Sequence, residues 1–327
     1  MDIVTLQELV IPLGLMMLGT ALLIKGGNWT IDSAVFIARR FGLSPMVVGF
    51  TILAFGTSLP ELIVSILAVL RGSEGIAMGN VIGSNIANIL LVIGCSSVLV
   101  TMHITLSKGL IKDLVMMLLS AFLLMGLMLY GEIGRIAGLG MVAILLMYVF
   151  VQYRMAMKGE IVVDGEDLPL FKHPAHPYVF LALGLCGIGG GAEFLVRGAS
   201  QSAAIVGVPE DVVALSIIAF GTSLPELSTS IIGARRGHAE MALGNVVGSN
   251  VFNILVIIGI TALVKPIAQG SYADQLLEFD IWFMLAVTVV FAALVAGYRK
   301  ITPVIGGIFV GAYVVYTIYI YAINFGA

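Results

Sequence analysis

The sequence predicts an all-α integral membrane protein: ten transmembrane helices in two inverted five-helix repeats, with discontinuous core helices. Three observations carry that expectation. The chain has 327 residues, 60% hydrophobic and 11% charged, with a mean hydropathy of +1.10. A soluble domain of this length cannot bury so much apolar surface, so lipid must be the solvent. The peptide AFGTSLPEL occurs at 54–62 and again at 219–227. The same offset of 165 residues lays GNVIGSNIANIL (79–90) over GNVVGSNVFNIL (244–255), with nine of twelve positions identical.

Apolar runs long enough to cross a bilayer core as helices fall at about 8–26, 44–70, 76–101, 109–130, 133–154, 177–198, 211–234, 240–264, 276–297 and 302–323. The first run lacks the pattern of a cleaved leader and is expected to be a retained span. Residues 28–41 and 193–206 read as amphipathic lead-ins to the second and seventh spans, sliding or interfacial half-helices. One polar connection, 157–176, divides five spans from five: a first repeat at 1–156 and a second at 177–327. An odd number of spans per repeat makes the second copy enter from the opposite face.

Charge sets the orientation. With the N-terminus outside, the inner face carries Lys25, Arg39, Arg40, Lys108, Lys112, Arg154, Lys158, Lys172, Arg235, Arg236, Arg299 and Lys300. The outer face carries only Arg71, Arg135, Arg197 and Lys265. This positive-inside bias predicts a multi-pass protein of the plasma or inner membrane with both termini on the non-cytoplasmic side. A net charge of -3 gives no reason to expect a nucleic-acid partner. Cys95 and Cys186 show no CxxC spacing and read as buried thiols without a redox role.

The chemistry resides in two segments, 49–94 and 214–259. Pro60 has no amide hydrogen, and its ring clashes with the carbonyl of Gly56. Carbonyls from Ala54 to Thr57 then lose helical partners, which a membrane tolerates only where they face protein or a wet cavity. Thr57 and Ser58 precede Glu61 by four and three residues and should share its face. Hydroxyls, carbonyls and a carboxylate are the hard oxygen ligands that Ca²⁺ or Na⁺ takes. Ala219, Thr222, Ser223 and Glu226 repeat the set. Asn80, Ser84 and Asn88 form a polar stripe at four-residue intervals, matched by Asn245, Ser249 and Asn253. The neighbouring Gly79-xxx-Gly83 and Gly244-xxx-Gly248 let backbones approach. The simplest assembly packs the two broken helices against each other, flanked by the Gly/Asn helices.

A mid-membrane carboxylate costs roughly 2.5–3.5 kcal/mol, and no Lys or Arg lies mid-span to pair with Glu61 or Glu226. Protonation or bound cations must compensate. His103, His173, His176 and His238 lack metal-ligand spacing, and Glu160, Asp164, Glu166 and Asp167 read as an exposed acidic linker. Glu193 reads as interfacial. No Walker A sequence, nucleophile–base pair or catalytic-metal spacing appears, so neither an enzyme nor a cofactor is expected.

GTSLPE paired with GNxxGSNxxN, present twice, resembles the α-repeats of the cation/Ca²⁺ exchanger superfamily, in its sodium/calcium exchanger branch of prokaryotic type. The resemblance covers both halves and implies a secondary antiporter exchanging Na⁺ for Ca²⁺ by alternating access, a single copy sufficing for transport. The Ca²⁺/H⁺ branch carries Gly-Asn-x-x-Glu in the corresponding helices, which favours Na⁺ here. A cation/H⁺ antiporter is the alternative, and a cation channel a more distant one. The resemblance makes Glu61 and Glu226 the central carboxylates, joined around Ca²⁺ by main-chain oxygens of Thr57 and Thr222. Ser58 and Ser223, with carbonyls of Ala54 and Ala219, complete Na⁺ sites. Asn88, Asn253, Ser84 and Ser249 line the middle. Family members commonly carry aspartate at one of the positions held here by Asn88 and Asn253. With two acids, one Ca²⁺ neutralises the site and three Na⁺ would leave it at +1. The family also implies that the first and sixth spans slide or rock against the core.

Overall fold

The computed structural model describes residues 3–156, 176–205 and 219–325. All the long elements are helices: α1 (Ile3–Arg40), α2 (Pro45–Thr57), α3 (Leu59–Leu70), α4 (Glu74–Leu99), α5 (Lys108–Tyr130) and α6 (Arg135–Ala156). After the linker come α7 (His176–Ile205), α8 (Ala219–Thr222), α9 (Leu224–Arg235), α10 (Ala239–Val264), α11 (Leu276–Tyr298) and α12 (Pro303–Phe325). Among the described residues, eight helices are long and apolar enough to span a membrane, and the bent α2–α3 pair makes nine. The expected seventh span, 211–234, begins outside the described residues, as does the part of the ion-binding segment at 214–218. The linker at 157–175, with its acidic cluster and His173, lies outside them too.

The expected lead-ins prove to be the far ends of α1 and α7. At 38 residues, α1 is about 57 Å long at 1.5 Å per residue, well beyond a bilayer core of about 30 Å. The change from apolar to amphipathic composition near residue 28 marks a change of surroundings and leaves the helix unbroken. Glycines join the pair: a methyl group on Gly26 would lie 2.7 Å from Gly184 O, and one on Gly191 would lie 2.8 Å from Gly19 O. Glycine here permits backbone contact between long helices.

Two small β bridges tie the loops. Met102–His103 (β1) pairs antiparallel with Lys300–Ile301 (β4), and Glu132–Ile133 (β2) with Ile267–Ala268 (β3). Helix α5 therefore runs from the β1–β4 end to the β2–β3 end, whereas α11 runs the opposite way. α4 ends at the first bridge and α10 at the second, so they too are antiparallel.

The two Gly/Asn helices, α4 and α10, are the most deeply buried of the long helices. They occupy the centre and meet each other through Asn85 and Asn250. Among the described residues, the broken helices approach each other only near their breaks, which differs from the expected assembly. Close packing explains why. Helix α10 lies on α2, where a methyl group on Gly244 would sit 2.5 Å from Met46 O, so a side chain there would drive the helices apart.

Candidate cation site

Both helix breaks fall on a serine of the repeated peptide. Ser58 (φ -86°, ψ 5°) separates α2 from α3, which bend by 43°. Ser223 (φ -87°, ψ 0°) separates α8 from α9. Proline follows two residues later in each copy, where a missing N–H costs least, at the first turn of a new helix. Ser58 N still donates to Ala54 O at 3.1 Å, and Thr57 Oγ1 lies 3.5 Å from the same oxygen, so that carbonyl keeps a helical partner.

The new helices start with Glu61 and Glu226 in their first turns. Both are buried, with 1% and 0% of their surface exposed, and they are close enough for their charges to interact. Ser58 Oγ donates to Glu226 Oε1 at 3.2 Å. The sequence placed Ser58 on the face of Glu61; the turn at the break sends its hydroxyl across to the other repeat. Thr57 Oγ1 bonds Leu53 O at 3.0 Å and lies 3.3 Å from Asn245 Oδ1. Thr57 and Ser249 also stand beside Glu226.

The polar stripe divides into supports and open oxygens. Asn80 Nδ2 donates to Glu61 O at 3.1 Å and to Ser65 Oγ at 3.0 Å. Its counterpart Asn245 Nδ2 donates to Thr229 Oγ1 at 3.1 Å and to Ser230 Oγ at 3.4 Å. Each therefore holds the glutamate-bearing half-helix of its own repeat. Asn88 and Asn253 both open a π-helical turn, Asn88–Ile93 and Asn253–Ile258, a feature frequent at functional sites.

Five buried oxygens in this region lack a hydrogen-bond partner: Glu61 Oε2, Glu226 Oε2, Asn88 Oδ1, Asn253 Oδ1 and Ser249 Oγ. Leaving each unsatisfied costs about 1–3 kcal/mol. Four of them, on Glu61, Glu226, Asn88 and Asn253, are carboxylate or amide oxygens, the lone-pair donors that complement a hard cation. Ala54, Thr57, Ser58, Ser84, Ser223 and Ser249 are buried as well. Thr222 is partly buried, and Ala219 opens α8.

The sequence reading missed the supports: Asn85, Asn250, Ser65, Thr229 and Ser230. The Gly-Ser-Asn triplet carried the signal for Asn85 and Asn250, which stand three residues before Asn88 and Asn253. Two buried aspartates were also missed. Asp113 accepts from Tyr148 Oη at 2.6 Å and from Gln152 Nε2. Asp280 accepts from Tyr316 Oη at 3.0 Å. Glu193 is exposed and pairs with Arg197 at 2.7 Å.

The model of the family described as sodium/calcium exchanger protein matches residues 11–154 and 176–322, once on each side of the linker. The chain belongs to the sodium/calcium exchanger family. Its relatives include the inner membrane protein YrbG of Escherichia coli, 34% identical over 85% of this chain and 89% of that protein. The sodium/calcium exchanger MaX1 of Methanosarcina acetivorans is 30% identical over 84% of this chain and 89% of that protein. The solved sodium/calcium exchanger from Methanococcus jannaschii superimposes with a TM-score of 0.80 at 30% identity, covering 94% of this chain and 97% of that one. MaX1 and the Methanococcus jannaschii protein are named as exchangers, and this family member shares the helical fold of the latter.

Proposed function

We propose that the chain is a secondary antiporter exchanging Na⁺ for Ca²⁺ by alternating access at a site built around Glu61 and Glu226. The observation that carries this reading is the set of four buried, unpartnered oxygens on Glu61, Glu226, Asn88 and Asn253. Two ionised carboxylates hold a charge of -2, which one Ca²⁺ neutralises. Main-chain oxygens of Thr57 and Thr222 join the carboxylates around Ca²⁺, Ser58 and Ser223 with the carbonyls of Ala54 and Ala219 complete Na⁺ sites, and Ser84 and Ser249 line the middle. Both ions need the same carboxylates, so each displaces the other. An empty doubly negative site in low dielectric does not reorient readily, which couples the two fluxes.

The architecture proposed with it is ten spans in two inverted repeats, 1–156 and 177–327, joined at 157–176 on the cytoplasmic side. Both termini are outside, and one copy suffices for transport. The antiparallel courses of α4 and α10, and of α5 and α11, support this inversion. Contacts that recur at an offset of 165 residues support it too.

Purified protein in proteoliposomes tests the proposal. Vesicles loaded with Na⁺ are expected to take up ⁴⁵Ca²⁺ when diluted into Na⁺-free buffer. Uptake driven by a pH gradient alone, with no response to Na⁺, points instead to H⁺ exchange; conductance steps in a planar bilayer point to a channel.

A further inference from the structure

Four asparagines at the crossing of α4 and α10 form a closed network. Asn85 Nδ2 donates to the main-chain carbonyl of Asn250, and Asn250 Nδ2 to that of Asn85, both at 3.4 Å. Asn253 Nδ2 donates to Asn85 Oδ1, and Asn88 Nδ2 to Asn250 Oδ1, both at 3.0 Å. All four side chains are buried.

The direction of every bond follows from the two carbonyls. A main-chain oxygen only accepts, so the end of Asn85 or Asn250 that meets it must be the NH₂. The nearby thioethers press the same way: Met284 Sδ lies 3.7 Å from Asn85 Nδ2, and Met117 Sδ lies 3.9 Å from Asn250 Nδ2. Thioether sulfur is likewise an acceptor only. With their NH₂ groups committed, Asn85 and Asn250 present oxygen to the next pair. Asn253 and Asn88 must answer with NH₂, which turns their own oxygens the other way. Those oxygens are the two side-chain oxygens of the network left without a partner.

We infer that Asn85 and Asn250 are positioning residues. They transmit the fixed polarity of two backbone carbonyls through one amide each, so that Asn253 and Asn88 offer oxygen rather than nitrogen to a cation. An amide flipped at either position would aim N–H at the ion and repel it. Fixing which end of the Asn253 and Asn88 amides faces the ion needs this relay. The inference rests on the proposed cation site and adds to it two residues that need not touch the ion.

A double-mutant cycle on the full-length protein tests it, read as Ca²⁺ affinity by calorimetry without any ion gradient. Asn85→Leu removes the acceptor, releases the amide of Asn253 and is expected to weaken Ca²⁺ binding about tenfold or more. Adding Asn253→Asp in that background is expected to recover most of the loss, because a carboxylate shows oxygen at both ends. In the parent, Asn253→Asp sets carboxyl oxygen against Asn85 Oδ1, so its benefit is expected to be smaller by about tenfold. Effects that add to within about twofold overturn the assignment. Should Asn85→Leu fold poorly, Asn250→Leu with Asn88→Asp completes the mirror cycle.

A second readout holds even if Ca²⁺ does not bind. The side-chain ¹⁵N–¹H resonances of Asn253, recorded without ions, are expected to shift upfield in Asn85→Leu as the NH₂ loses its acceptor. Unmoved resonances overturn the relay. Shifted resonances in a protein that binds no Ca²⁺ sustain the relay and overturn the proposed function.

Discussion

Ser58 and Glu226 stand 168 residues apart in sequence, yet the Ser58 hydroxyl donates to Glu226 Oε1 at 3.2 Å. The bond joins the break of one repeat to the acid of the other, so the candidate site draws on both repeats. Each half supplies one carboxylate, one hydroxyl-bearing break and one amide oxygen.

Glu61→Gln and Glu226→Gln each replace a carboxylate by a neutral amide in a buried site. A divalent ion there needs both charges, because one remaining carboxylate leaves a net positive charge in low dielectric. Calorimetry is expected to show Ca²⁺ affinity falling by at least about a hundredfold in either variant, with the fold intact. Near-parental affinity in one of them would remove that glutamate from the site.

Gly244 tests the packing that holds the site's frame. A methyl group there would lie 2.5 Å from Met46 O and 3.1 Å from Phe50 N. Backbone atoms cannot give way as a side-chain tip does. Gly244→Ala is expected to cost about 1–3 kcal/mol by overpacking and to lower the thermal midpoint in detergent. Gly189→Ala, with nothing within 4 Å of the added methyl, is the control and is expected to leave the midpoint unchanged.

The parts of this design legible in the sequence are those that a membrane penalises. Pro60, Pro225 and two mid-span glutamates are costly in lipid, so their repetition reveals broken helices and a polar centre. The hand-over from Ser58 to Glu226 was hidden, because helical periodicity assigns Ser58 to the face of Glu61 and carries no information about a residue 168 positions away. The four-residue stripe through Asn80, Ser84 and Asn88 drew attention past Asn85, which lies off that stripe and turns toward the partner helix. The π turns beginning at Asn88 and Asn253 have no local composition signal. Helix α1 was divided at its change of composition, although the helix continues through Gly26, which packs against α7, and Gly27, which packs against α9.

Asp280 and Tyr316 act in the frame. Asp280 is buried, and Tyr316 Oη donates to it at 3.0 Å, tying the start of α11 to α12. Tyr316→Phe removes the donor and leaves a buried carboxylate oxygen short of a partner. Thermal unfolding is expected to show a loss of about 1–3 kcal/mol, while Ca²⁺ affinity of the folded protein stays within about twofold. A large affinity loss would place Asp280 in the ion's path.

Arg236 tests how α1 is held. Its guanidinium donates to Asn28 Oδ1 at 2.6 Å and pairs with Asp32, fastening α1 to the end of α9. Ser228 Oγ adds a bond to Leu23 O at 3.0 Å. At the positions 165 residues further on, Glu193 and Arg197 pair with each other on α7 instead. Leu59 of α3 is 36% exposed, whereas its counterpart Leu224 of α9 is 7% exposed. Among the described residues, α1 is thus tied to α9 by side-chain bonds that have no counterpart between α7 and α3, an asymmetry consistent with the proposed alternating access. Arg236→Gln removes a partly exposed ion pair of the kind worth about 0.2–1 kcal/mol, enough to change a two-state ratio by roughly 1.4- to fivefold. Spin labels on α1 and α9 are expected to show a longer-distance population growing by that factor. Unchanged distance distributions would mean that glycine packing against α7, and not this ion pair, sets the position of α1.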